Sequence, residues 1–132
     1  MRRVITFGTF DVLHVGHVRI LQRARAFGDH LVVGVSSDAL NLAKKGRESV
    51  FSQAERVEIV SAIAGVDEVF VEESLDLKRD YITQWRADVL VMGNDWAGRF
   101  DEFNDICEVV YLPRTPSVST TGIIEHIASL GS

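Results

Sequence analysis

The 132-residue sequence contains one cysteine, Cys107, so it forms no internal disulfide and no Cys-based metal site. That scarcity fits a reducing compartment and points to the cytoplasm. Proline is rare, at two residues, and ten glycines follow no period, which excludes a collagen-like chain. No apolar run approaches the roughly 20 residues that cross a bilayer. After Met1-Arg2-Arg3, the run Val4 to Phe7 is too short for a signal sequence. Basic excess is also missing: 14 Lys and Arg stand against 19 Asp and Glu, for a net charge of −5. A nucleic-acid binder would carry a basic field, so that class is disfavoured. Gly-x-Gly-x-x-Gly and the Walker pattern are both absent, which argues against a dinucleotide oxidoreductase and a P-loop kinase. No linker, repeat or low-complexity segment interrupts the chain.

What is present is the composition of an ordinary globular protein, 46% hydrophobic and 25% charged. The length suits one domain over residues 1–132. Short β-branched runs alternate with helical patterns. Strands are predicted at Val4–Phe7, Leu31–Val35, Val69–Val71, Val89–Met92 and Val109–Leu112. Helices are predicted from Gly16 to Ala26, from a Ser52/Glu55 capping box to Gly65, from Asp80 to Trp85, and from Ile123 to Leu130. Lys44, Lys45 and Arg47 read as a polar loop. Strict alternation predicts an α/β, Rossmann-like, parallel five-stranded sheet with helices on both faces. In such sheets ligands bind beyond the carboxyl ends of the strands, where the strand order reverses.

Two segments at strand-to-helix junctions carry the chemistry. In Gly8-Thr9-Phe10-Asp11-Val12-Leu13-His14-Val15-Gly16-His17, two imidazoles three residues apart open a helix. Gly16 between them lets a ligand approach the backbone. The helix N-terminus adds free N–H groups and partial positive charge. That combination suits an anion, most naturally a polyphosphate, better than two packing histidines. Zinc is disfavoured, because Asp11 is the only acid nearby. The second segment runs from Arg114 to Thr121 and sets one guanidinium among several hydroxyls before the last helix. Arg forks onto phosphate and hydroxyls donate to further oxygens; a Ser/Thr-rich helix cap with a surface Arg is the structural alternative.

Together these segments resemble the His-x-Gly-His nucleotidyltransferase superfamily, which shares its fold with class I aminoacyl-tRNA synthetases. Within it the resemblance is to the glycerol-3-phosphate cytidylyltransferase family. It extends through Leu31-Val32-Val33 with Ser36 and Asp38, Met92-Gly93 with Asp95-Trp96, and Cys107 to Thr115. The resemblance implies transfer of a cytidylyl group from CTP to an alcohol phosphate, most naturally sn-glycerol 3-phosphate, with Mg²⁺ arriving with the nucleotide. It further implies catalytic roles for His14, His17, Lys44 and Arg114. Nucleotide contacts are expected from Gly8, Thr9, Phe10, Asp11, Gly16, Lys45, Arg56, Met92, Asp95, Trp96, Thr115, Ser119 and Thr120. Asp38 and Asp67 are expected to bind the acceptor, no dedicated metal site is expected, and a homodimer is implied. Three positions depart from the family pattern: Asn94 for an acid, Ala64 for an Arg, and Leu75 for a Trp. They leave the nucleotide chemistry intact and put the acceptor in question. Cys107, His30 and His126 read as structural. An adenylyltransferase acting on a sugar phosphate, and a non-catalytic nucleotide sensor, are the competing expectations.

Overall fold

The computed structural model describes residues 1–113 and 119–131. Five parallel strands, β1 (Arg3–Gly8), β2 (His30–Ser36), β3 (Glu68–Glu72), β4 (Val89–Gly93) and β5 (Glu108–Leu112), form one sheet in the order β3-β2-β1-β4-β5. The helices are α1 (Val15–Arg25), α2 (Asp38–Lys45), α3 (Gln53–Ser61), α4 (Lys78–Gln84) and α5 (Thr120–Leu130). The expected Rossmann-like α/β sheet is the observed one.

Alternation along the strands divides the core in two. Val4, Leu31, Val33, Val35, Val89 and Val91 point to one face, where Leu21 and Ala24 of α1 and Val60 of α3 pack on them. Ile5, Phe7, Val32, Leu90 and Met92 point to the other, against Ile82 of α4 and Phe103 of a 3₁₀ turn. Strands buried on both faces must be nearly all apolar, which is why these runs are legible in the sequence.

Three local readings need correction. Lys44 and Lys45 do not lie in a loop; they form the last turn of α2, which Ser37 caps and Gly46 ends at φ +69°. Its eight residues are too few for a helical period to show in the sequence. The third helix has its Ser52/Glu55 capping box, but stops at Ser61. Gly65 instead makes the turn into β3, at φ +91°.

The sheet is open at one point. Register between β1 and β4 covers only Val4 with Val89 and Ile5 with Leu90. Beyond it the Thr6 hydroxyl donates to the Val91 carbonyl at 2.6 Å. Past that bond the carboxyl ends of β1 and β4 flank a crevice, at the point where the strand order reverses.

Candidate active site

The segment between β1 and α1 is held in an uncommon conformation. Phe10 and Val12 have φ of +53° and +48°. Left-handed backbone at non-glycine residues costs about 1–2 kcal/mol each, and more so at a β-branched valine. Buried contacts impose it. The Phe10 ring is 6% exposed and lies edge-on to His17, 5.5 Å between centroids. The Asp11 carboxylate accepts from the backbone N–H groups of Val12, Val50 and Phe51, at 3.1, 2.7 and 2.8 Å. Asp11 therefore staples the histidine segment to the chain that follows α2.

The two imidazoles form a capping box at the start of α1. His14 is the N-cap, and its Nδ1 accepts from Gly16 N–H at 3.0 Å. His17 Nδ1 accepts from His14 N–H at 3.1 Å. A backbone N–H can only donate, so each Nδ1 holds a lone pair. Each neutral ring must then carry its proton on Nε2. The rings stack 3.9 Å apart. Burial, the adjacent His14 ring and Lys45 push the His17 pKa down to about 4, against an upward pull from Asp11. Burial also lowers that of His14. Near neutral pH the pair is uncharged and presents two Nε2–H donors.

Both rings line a cavity of about 340 Å³ at the β1/β4 crevice. Gly8, Thr9, Phe10, Asp11, Gly16, Lys45, Met92, Asp95, Trp96, Ser119 and Thr120 line it too. The structure thus brings together most of the residues expected to bind nucleotide. The α5 N-terminus stands beside that of α1, capped by the Ser119 hydroxyl on Gly122 N–H at 3.0 Å. The Thr120 hydroxyl donates to the Asp11 carbonyl at 2.9 Å, which docks α5 on the histidine segment and commits its only proton. Arg114 and Thr115 lie outside the described residues.

A second cavity, about 320 Å³, shares Phe7, Gly8, Thr9, Lys45, Met92 and Trp96 with the first. Lys44, Glu72, Leu75 and Lys78 complete it. Desolvation and neighbouring cations lower the pKa of both Lys44 and Lys45. Glu72 and Lys78 drew no attention in the sequence, because Lys78-Arg79 looks like a surface pair until α4 turns Lys78 inward.

Three residues expected to contact ligand line neither cavity. Arg56 is fully buried, and its guanidinium donates to the carbonyls of Phe51, Thr9 and Ser36, at 3.0, 2.9 and 2.7 Å, and to Asp38 at 2.7 Å. It ties α3 to the ends of β1 and β2. Asp38 uses one oxygen on Arg56 and the other on Gln53 N–H, and lines neither cavity. Asp67 accepts from Leu31 N–H at the amino end of β2, the opposite edge of the sheet. Ala64, shortly before β3, belongs to that far edge as well, whereas Leu75 lines the second cavity.

Comparison with known proteins agrees with this geometry. The model of the cytidylyltransferase-like family matches residues 5–126. The chain belongs to that family. A glycerol-3-phosphate cytidylyltransferase of Bacillus subtilis (strain 168) is 49% identical over 130 residues, covering 98% of this chain and 100% of the relative. A Staphylococcus aureus (strain NCTC 8325 / PS 47) protein of the same name is 43% identical over 127 residues, 96% of each chain. The crystal structure of a lipopolysaccharide core biosynthesis protein from Thermoplasma volcanium GSS1 superposes with a TM-score of 0.77 at 25% identity. It covers 87% of this cytidylyltransferase-like chain and 98% of its own. Among the described residues no helix is long and apolar enough to cross a membrane.

Proposed function

We propose that this chain transfers the cytidylyl group of CTP to sn-glycerol 3-phosphate, giving CDP-glycerol and pyrophosphate. The observation that carries the reading is the pair of Nε2–H donors fixed at a helix N-terminus in the β1/β4 crevice. The full-length similarity to two glycerol-3-phosphate cytidylyltransferases supports the acceptor.

The chemistry asks little of the protein beyond alignment and charge stabilisation. A phosphate monoester has its second pKa near 6, so the acceptor is mostly a dianion at neutral pH and needs no general base. One of its oxygens attacks the α-phosphorus of CTP in line. The new P–O bond forms as the bond to the bridging α,β oxygen breaks, and pyrophosphate leaves with that electron pair. Negative charge grows on the leaving group in the transition state. Neutral imidazole N–H groups and two helix N-termini stabilise such charge without themselves changing protonation. Lys45, on the wall between the cavities, stands where the two anionic substrates meet; Lys44 lies on the second side. Arg114 and Thr115 complete the phosphate contacts on the strength of the resemblance. Ser119 and the α5 N-terminus do so from the cavity wall.

Mg²⁺ belongs to this proposal as part of the substrate, bound to the triphosphate. Among the described residues no group of three or more His, Cys, Asp or Glu is placed to hold a metal. Asp11, the acid next to the histidines, has its carboxylate on three backbone N–H groups. A homodimer and a cytoplasmic setting belong to the same proposal and rest on the family resemblance.

Pyrophosphate release over a grid of nucleoside triphosphates and alcohol phosphates tests the reading. The largest kcat/KM is expected for MgCTP with glycerol 3-phosphate. Preference for MgATP with a sugar phosphate would replace it with adenylyl transfer. No turnover with any pair, beside tight triphosphate binding, would mark a sensor.

A further inference from the structure

The segment that brings Asp95 and Trp96 to the crevice contains neither a strand nor an α-helix. Residues 94–105 join β4 to β5 through two short 3₁₀ turns, Asn94–Trp96 and Asp101–Asp105. Such turns have poor hydrogen-bond geometry of their own, so contacts outside them fix where they stand. An aromatic ladder runs from the core to the cavity. Phe103 is buried in the core, and the Phe100 ring lies nearly parallel to it, 6.2 Å away at 12°. The Trp96 ring follows, 5.5 Å from Phe100, and lines the cavity. The Arg99 guanidinium stands 5.7 Å from the Trp96 ring centroid. The far end of the segment is tied to α4, where Arg79 donates to the Glu102 carbonyl at 3.2 Å and to Asp105 at 2.9 Å. The middle is tied by Tyr111 of β5. Its hydroxyl accepts from Phe100 N–H at 2.9 Å and donates to the Asp101 carboxylate at 2.9 Å. Tyr111 pairs in register with Met92, a cavity residue, which anchors this latch at the carboxyl end of the sheet beside the site.

We propose that Tyr111 is a positioning residue for the nucleoside of CTP: its hydroxyl latches residues 100 and 101 and, through the Phe100 ring, sets where Trp96 and Asp95 stand. The assignment deepens the cytidylyl-transfer reading above and rests on it. Tyr111 lines neither cavity, so it acts on the nucleotide only through the latched segment. The phosphates meet the histidines and the N-termini of α1 and α5, which stand on other elements. An indole face suits a base or ribose better than a phosphate, so the nucleoside falls to the latched segment. Without the hydroxyl, the segment loses both bonds to β5 and binding must order it, which weakens affinity. That loss applies equally to the bound substrate and to the transition state, so KM rises while kcat holds. Asp101 shares the latch as the acceptor of the Tyr111 proton.

The test measures kcat, KM for MgCTP and the inhibition constant of pyrophosphate in Tyr111→Phe, Asp101→Ala and Asp101→Asn. Pyrophosphate probes the phosphate contacts without the nucleoside. Tyr111→Phe removes one oxygen and should raise KM for MgCTP by about tenfold. Its kcat and its inhibition constant for pyrophosphate should stay within about twofold of the wild type. Asp101→Ala should raise KM less, and the double variant Tyr111→Phe with Asp101→Ala should be no worse than Tyr111→Phe alone, because both act on one latch. Asp101→Asn keeps an acceptor for the Tyr111 proton and should restore the wild-type KM. A folded Tyr111→Phe with the wild-type KM overturns the proposal. So does a KM that rises in step with the pyrophosphate constant, which would mean the whole crevice has loosened and the hydroxyl is purely structural. If Tyr111→Phe does not fold, Asp101→Ala decides by the same readouts, since that side chain is exposed. A wild-type protein that turns over MgCTP with no alcohol phosphate would instead bring down the broader functional reading. Calorimetric Kd values for MgCTP and pyrophosphate would then decide the Tyr111 assignment by the same comparison.

Discussion

His14 holds two jobs on opposite sides of one ring, and a single substitution separates them. Its Nδ1 caps α1 by accepting from Gly16 N–H at 3.0 Å, while Nε2 carries the proton offered to the cavity. In His14→Asn, the amide oxygen sits one bond from Cγ, as Nδ1 does, and asparagine is among the best N-caps. The cap therefore survives and the Nε2–H is lost. In His14→Ala both are lost. Losing a cap costs about 1 kcal/mol, with a range of roughly 0.5–2. For a chain of this size that is a fall of roughly 4 °C in Tm. Losing one donor to developing charge costs on the order of 10²–10³ in kcat. The expected pattern is a near-normal Tm for the Asn variant, a lowered one for the Ala variant, and a comparable loss of turnover in both. Thermal melts and pyrophosphate release at saturating MgCTP read the two quantities. An Asn variant that melts as low as the Ala variant would refute the cap. One that turns over like the wild type would refute the role of Nε2–H.

His17 should titrate near pH 4 by NMR, with its proton on Nε2 when neutral; a midpoint near 6.5 would contradict the burial described. Because its folded pKa lies below the unfolded value, the unfolded chain binds more protons between about pH 6.5 and 4. His17 therefore lowers stability as pH falls through that window and contributes no slope above it, which denaturant melts at several pH values can check. Arg56→Lys should lower Tm sharply, since one ammonium cannot serve three carbonyls and Asp38, and each buried acceptor left bare costs about 1–3 kcal/mol. A stable Lys variant with selectively weakened CTP affinity would restore the phosphate role. Arg114→Lys should stay strongly impaired, because an ammonium does not reproduce the planar fork; full activity would reduce Arg114 to diffuse charge. Excess chelator should abolish turnover if Mg²⁺ enters with the triphosphate, and undiminished activity would remove the metal from the scheme.

The strands and the histidine junction between β1 and α1 are legible in the sequence for a simple reason. A strand buried on both faces must be apolar over its whole length, as Val4 to Phe7 and Leu31 to Val35 are, so periodicity alone exposes it. Histidines at the junction announce chemistry because their spacing is set by one turn of helix, a local constraint. The short amphipathic α2 escaped because eight residues give too few repeats for a period to emerge.

Charged residues are a different matter. Arg56, Asp38 and Asp67 look like ligand-binding groups in the sequence, and Glu72 and Lys78 look like surface. The first three have partners 18 to 36 residues away, Arg56 with Asp38 and Asp67 with Leu31, and the last two are buried only because α4 folds back on the end of β3. The sequence by itself determined the sheet, the crevice at its carboxyl edge and the paired histidines at its mouth, all of which follow from patterns within one element or one junction. Only the tertiary structure decided which cations are buried as fold ties and which line a cavity. A charge acquires its meaning from the groups that fold against it, and neither spacing nor composition encodes those contacts.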